Sequence, residues 1–145
     1  MKKIITITII IIITYLISAL SPYSVNDVDL RAVKMIESAN LPFVIGREGE
    51  IGLYQITPIL LKDYNNYHKI KIPRLALFIP FINSKVAKWY IGKRIPQMIR
   101  AKGYKVTVRN ILIAYNGGIK YVGRKTIPKI TERYLEKYRR LTNEK

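Results

Sequence analysis

The chain contains no cysteine. Disulfides, thiolate metal sites and a cysteine nucleophile are thereby excluded. The compartment stays open, because reducing and oxidising locations both tolerate this absence. Histidine occurs once, at His68, which rules out multi-histidine metal centres and disfavours a histidine-dependent triad. No metal or organic cofactor is expected. Acids are scarce as well: nine Asp and Glu stand against 26 Lys and Arg, for a net charge of +17. Such a charge suits an anionic partner, whether nucleic acid, anionic lipid or an acidic cell-wall polymer. It is equally the solvated surface of a chain rich in Ile, Lys and Asn. With 145 residues, the chain has the length of one domain with one modest core.

Long hydrophobic runs are confined to the start. Lys2 and Lys3 precede an uncharged apolar stretch, Ile4 to Leu20, followed by Ser21-Pro22. As a helix, this stretch would span about 25 Å, slightly short of a bilayer core. A basic start, an apolar run and a Ser/Pro break have the layout of a secretory signal or an uncleaved signal anchor. Residues 1–22 are therefore expected to export the chain and 23–145 to form the domain. Small residues at Ser18, Ala19 and Ser21 do not decide between cleavage and retention. Either way the domain is expected in the periplasm or cell envelope. Its basic character is no obstacle, since long domains cross largely regardless of charge.

Beyond Tyr23 the signals are helical. Asn26 or Ser24 is positioned to cap a helix with Asp27 and Asp29 in its first turn. Ala32, Val33 and Ile36 give it an apolar stripe, and it should end near Asn40, ahead of Pro42. Residues 41–52, with Gly46, Gly49 and Gly52, read as an irregular loop or short hairpin. Thr57-Pro58 predicts a helix start, with proline at the first helical position, and an end near Tyr67. Lys69 to Pro80 is a connector. Asn83 or Ser84 is expected to start the longest helix, with Val86, Trp89, Tyr90, Ile95, Met98 and Ile99 inward. Pro96 should kink or split it, and Gly103 should end it. Thr107 caps an apolar helix over 108–115 that stops at Asn116-Gly117-Gly118. The last helix covers about 127–141, with Ile130, Tyr134, Leu135 and Tyr138 on one face. The expectation is a mostly α domain with one irregular or minimally β segment at 43–54.

Most of the nine acids have ordinary roles. Asp27 and Asp29 suit a helix start, and Glu132, Glu136 and Glu144 lie on a strongly basic terminal helix where ion pairs are the default. Glu48 and Glu50 lie on the glycine-bearing loop, where solvated side chains are expected. Glu37 differs. It falls on the last turn of its helix, where the dipole disfavours a carboxylate, and it follows an apolar stripe that directs it inward or to a groove edge.

Three pieces occur in order: Ile36-Glu37-Ser38-Ala39-Asn40, then Gly52-Leu53-Tyr54-Gln55-Ile56-Thr57-Pro58, then Ala114-Tyr115-Asn116-Gly117-Gly118. Over about residues 28–138 the chain resembles the soluble lytic transglycosylase catalytic domain, the goose-lysozyme-like branch of the lysozyme superfamily. The family patterns are Glu-Ser, Gly-Leu-Met-Gln-Ile-x-Pro and Ala-Tyr-Asn-Ala-Gly. The resemblance implies a lysozyme-like single domain in which Glu37 is the catalytic acid and base. Ser38 would support the end of its helix and the carboxylate. Gly52 and Gln55 would line the glycan groove, Tyr115 would place its hydroxyl near Glu37, and Asn116 would hold its turn. Thr131-x-x-Tyr134 looks like the family's C-terminal Thr-x-x-Tyr element. Four departures stand out. Gly46 occupies a frequent serine position, Tyr54 replaces Met, Ile130 replaces a Glu, and residues 68–82 are proline-rich and apolar.

The chemistry fits the residues. Breaking a glycosidic bond needs a proton on the leaving oxygen and stabilisation of an oxocarbenium-like centre. A carboxyl protonated near neutral pH needs burial against apolar or aromatic groups, and Ile36, Ile56 and Tyr115 are candidate walls. The sequence offers no obvious second carboxylate. In the family the substrate's N-acetyl group assists, and its own C6 hydroxyl closes a 1,6-anhydro-muramyl end. The implied function is a peptidoglycan lytic transglycosylase. Its implied partners are glycan strands, the membrane if the anchor is retained, and a secretion, conjugation or phage assembly. The alternatives are a hydrolysing lysozyme of the same fold, with Glu48, Glu50 or Asp63 activating water, or a tethered wall-binding protein without turnover. Specific nucleic-acid binding is disfavoured, since zinc signatures, RNP-like runs and clustered basic and aromatic residues are all missing.

Overall fold

A computed structural model describes residues 27–143. The expected N-terminal apolar helix and the proposed caps Ser24 and Asn26 lie outside the described residues. Within them the chain is mostly helical, with isolated antiparallel bridges in place of strands. Helix α1 is Leu30–Ser38. Its N-cap is Asp29, whose carboxylate accepts from Arg31 N–H at 2.8 Å and Ala32 N–H at 3.3 Å. The expected position of Asp29 inside the first turn is thus corrected. A short acceptor side chain just outside the helix satisfies donors that would otherwise be orphaned. The Asp29 N–H in turn donates to the Tyr138 hydroxyl at 2.6 Å, tying the start of α1 to the C-terminal helix.

Helix α2, Pro58–His68, begins as Thr57-Pro58 predicts, the Thr57 hydroxyl accepting from Leu60 N–H at 3.1 Å. A 3-10 turn over Arg74–Phe78 leads into α3, Pro80–Trp89. The start expected at Asn83 or Ser84 moves back to Pro80, whose fixed φ suits the first helical turn. Asn83 is instead fully buried. Its Nδ2 donates to Ile51 O at 2.8 Å and Leu77 O at 2.9 Å, and its Oδ1 accepts from Tyr54 N–H at 3.0 Å. One side chain thereby fastens the 51–54 segment to the 3-10 turn.

A π turn over Tyr90–Arg94 joins α3 to α4, Ile95–Ala101. The helix is thus divided just before Pro96, as expected, by a wide turn and not by a break. Pro96 has no N–H to offer the preceding turn, and the wider turn is closed by Ile95 N–H to Tyr90 O. Helix α5 is Val108–Asn116, capped by Thr107, and α6 is Lys129–Thr142. Helix α6 packs on α1 and α5, and α5 on α4. Their common core includes Val33, Ile56, Val86, Ile95, Ile99, Ile113 and Tyr138, each essentially solvent-free. Tyr134, Leu135 and Tyr138 face inward as expected, but Ile130 is corrected: it is 69 % exposed. Among the described residues no helix is long and apolar enough to cross a membrane.

Candidate active site

The site begins with how α1 ends. Ala39 and Asn40 adopt left-handed backbone, with φ of 52° and 64°, and their N–H groups cap the carbonyls of Met35 and Lys34. This stops the helix at Ser38 and leaves Glu37 on its final turn. The chain then runs through 41–56 as a compact knot. Gly46 N–H donates to Glu50 O at 2.8 Å, Gly52 N–H to Val44 O at 2.9 Å, and Ile51 and Ile56 exchange bonds at 3.1 and 3.0 Å. From outside, Arg74 donates to Gly49 O at 2.9 Å.

These segments, with the end of α5 and the start of α6, border a cleft of about 500 Å³. Glu37, Gln55, Tyr115 and Asn116 line it, as do Gly46, Glu48, Glu50, Tyr90 and Ile130. Four of the six residues singled out from sequence thus share one cavity. The other two do not. Ser38 is buried, its hydroxyl 2.9 Å from Leu53 O and 3.3 Å from Lys34 O. It locks α1 to the 51–56 segment and is not available to a ligand. Gly52 is also buried, with φ of 80°, and a Cβ there would lie 2.3 Å from Asn83 Nδ2 and 2.6 Å from Leu77 O. The close approach that only glycine permits is made by the protein's own interior. The groove-lining role expected of Gly52 is corrected accordingly, while Ser38, expected to support the end of its helix, does so from behind the wall and is not a substrate contact.

Gln55 has left-handed backbone, φ 46°, which turns its side chain back over the knot. Its Nε2 donates to Gly52 O at 2.9 Å and Val44 O at 3.3 Å. Two carbonyl acceptors fix the amide orientation and leave Oε1 on the cleft side, next to Gly46. The Tyr115 hydroxyl donates to Tyr54 O, so it braces the knot while its ring faces the cleft. Tyr134 also lies beside Glu37, and both tyrosines feel its charge. The buried Tyr134 hydroxyl interacts with the Glu37 carboxyl yet makes no well-aligned hydrogen bond. Asn116 likewise presents a buried Oδ1 without a partner.

Electrostatics single out Glu37. Its pKa is raised from an ordinary 4.5 to about 7. Burial is the main cause, since it penalises the charged form. The Tyr134 hydroxyl pulls the other way, and the negative charge of Glu50 pushes it up further. Tyr115 and Tyr134 are themselves raised well above 10, first by burial and then by Glu37's charge. They remain neutral donors throughout the working range. Glu37 is thus half protonated near neutral pH, as a general acid must be. Asp63 is elsewhere, paired with Arg94 at 2.7 and 3.3 Å.

Sequence reasoning missed three features of the site. Glu50, expected to be solvated on its loop and named only among three candidates for activating water, lines the cleft. Tyr134 was placed inward by helical spacing, but its neighbour Glu37 lies about a hundred residues away in the chain. Ile130, one turn earlier on α6, lines the cleft from its exposed position.

A mostly helical domain that holds one partly buried carboxyl in an open cleft is the outline of a lysozyme-like fold. A family model described as the Transglycosylase SLT domain matches residues 14–133. The chain belongs to that family, within the lysozyme-like superfamily, and the class brings with it glycan cleavage and peptidoglycan as substrate class. No curated protein and no solved structure matches the chain.

Proposed function

We propose that this chain is a peptidoglycan lytic transglycosylase in which Glu37 is the acid and then the base. The observation that carries the reading is the Glu37 carboxyl itself: raised to about 7, it lines an open cleft together with Gln55, Tyr115 and Asn116. Glu37 gives its proton to the bridging oxygen of the MurNAc–GlcNAc β-1,4 bond, and the C1–O bond breaks. The substrate's C6 hydroxyl then attacks C1 and returns its proton to Glu37. The product carries a 1,6-anhydro-MurNAc end and no water is consumed. Gln55 and Asn116 offer amide groups to the glycan, and the Tyr115 ring walls the site.

Residues 1–22 serve in this reading as a signal or membrane anchor ahead of a domain at 23–145, delivering it to the periplasm or cell envelope. There the +17 charge holds it near anionic wall polymers, acting alone or within a secretion, conjugation or phage assembly. Hydrolysis is the second reading, and it rests on Glu50 lying in the same cleft.

Replacing Glu37 with Gln and analysing released muropeptides by mass spectrometry tests the assignment. Wild type should yield anhydro ends, and the variant should lose at least about a hundredfold in rate, the scale of a lost general acid. Retained activity in the variant would sink the role of Glu37. Reducing ends in place of anhydro ends from the wild type would transfer the reading to hydrolysis.

A further inference from the structure

Gly46 is the departure from the family pattern for which the structure gives a physical reason. A Cβ at that position would lie 2.2 Å from Glu50 Oε2 and 2.7 Å from Gln55 Oε1. No real Cβ tolerates such contacts, so the space that a side chain at 46 would fill is taken by the Glu50 carboxylate. That carboxylate is not loose. Its Oε2 accepts from Glu48 N–H at 3.0 Å, and Glu50's own carbonyl accepts from Gly46 N–H at 2.8 Å. Beside it, Gln55 Oε1 is turned the same way, because its amide nitrogen is engaged by two carbonyls. Two acceptors therefore converge over Gly46 in the cleft that holds Glu37. Paired acceptors attract a group that brings donors or positive charge. A sugar ring that is losing its leaving group brings both.

We propose that Glu50 is a second working carboxylate of the cleft, held over Gly46 beside Gln55 Oε1, accepting from the bound sugar and stabilising the positive charge that develops on its ring. This rests on the glycan-cleaving reading above. Glu37 donates its proton to the leaving oxygen, the C1–O bond breaks, and positive charge spreads over C1 and the ring oxygen. Glu50 forms no covalent bond. The acceptor hydroxyl then attacks C1, and its proton goes to Glu37. The same charge also works on Glu37 before the reaction, favouring its acid form. The other titratable groups bordering the cleft are Arg47 and Glu48 on the loop, Tyr90 on the π turn and Tyr115 on α5, with Tyr134 on α6 buried beside Glu37. Of these, Tyr134 opposes Glu50 by favouring the ionised form of Glu37.

The test uses Glu50→Gln, which removes charge at constant size, and Gly46→Ala, which displaces the carboxylate without touching it chemically. Both should lower kcat on peptidoglycan about a hundredfold, the low end for losing one preorganised charge-stabilising group. Both should also move the alkaline limb of the pH–rate profile to lower pH, because the like charge beside Glu37 is removed by the first and displaced by the second. Glu50→Asp should recover part of each effect. Direct carbon NMR titration of the Glu37 carboxyl, without substrate, should show its pKa falling in both variants. Turnover within twofold of wild type, with an unshifted limb, overturns the proposal. Reduced turnover with an unshifted Glu37 titration in both variants also overturns it, leaving a packing effect. Loss of cleavage activity in the wild type would defeat the glycan-cleaving reading instead, and the titration would still report whether Glu50 acts on Glu37.

Discussion

Holding Glu37 half protonated near neutral pH should cost the fold stability, and the size of that cost is open to measurement. In the unfolded chain the carboxyl returns to about 4.5, whereas the folded value is about 7. Below the unfolded value both states are protonated and the group contributes nothing unfavourable. As pH rises, the unfolded chain ionises first and is favoured, until the folded carboxyl also ionises near 7. Each unit of difference is worth about 1.4 kcal/mol. The penalty is thus about 0.2 kcal/mol at pH 4 and approaches about 3 kcal/mol at pH 8. Because the cleft is open to solvent, about 2 kcal/mol is a fairer expectation at the upper end. Glu37→Gln cannot ionise and removes only the pH-dependent part. In urea unfolding followed by circular dichroism, the variant should gain about 2 kcal/mol relative to wild type between pH 4 and pH 8. A stability difference constant to within about 0.5 kcal/mol across that range would refute the claim that burial holds the Glu37 proton.

Tyr134→Phe removes the hydroxyl that favours ionised Glu37, so the alkaline limb of activity should move to higher pH, opposite to Glu50→Gln. A downward or absent shift in the pH–rate profile would break that assignment. Asn83→Ala strands the Tyr54 N–H and the carbonyls of Ile51 and Leu77 in the dry interior. It should destabilise by about 3–5 kcal/mol in urea titration, by the usual penalty for unpaired buried groups, and less than about 1 kcal/mol would contradict the hub role. Ile130→Ala, on the exposed cleft wall, should raise KM for glycan strands while changing stability by no more than about 0.5 kcal/mol. The reverse pattern would return Ile130 to the core.

Features of the fold that depend on neighbouring residues were legible in the sequence. Thr57-Pro58 and Thr107 announce helices because a cap and its N–H partner lie within three residues of each other. The alternation of Gly through 41–52 marks an irregular segment for the same local reason. Glu37 stood out because its helix end, its apolar approach and its following motif are all contiguous. What the sequence hid is long-range. Asn83 looks like a cap until its partners prove to be 29 and 32 residues upstream in a buried layer. Glu50 looks solvated until the knot folds its carboxylate over Gly46. Ser38 and Gly52 are constrained positions, but whether a constrained residue faces a ligand or the interior depends on what packs behind it.

The π turn over Tyr90–Arg94 bears on how this chain tolerates changes of length. Asn83, Ala87, Ile91, Ile95 and Ile99 are all buried, a spacing of four residues throughout. In an uninterrupted α-helix that spacing would rotate the buried stripe by about 40° per step, reaching the far side within four steps. The π turn carries more residues per revolution and takes back part of the drift, so the stripe stays aimed at the core while Tyr90 reaches the cleft. The residue count between Trp89 and Ile95 therefore encodes an angle. Substitutions in that segment leave the angle alone, and deleting one residue lets the wide turn close to an α turn with Ile95 and Ile99 near their present phase, whereas inserting one would swing both by about 100° and set the two halves of the helix out of phase.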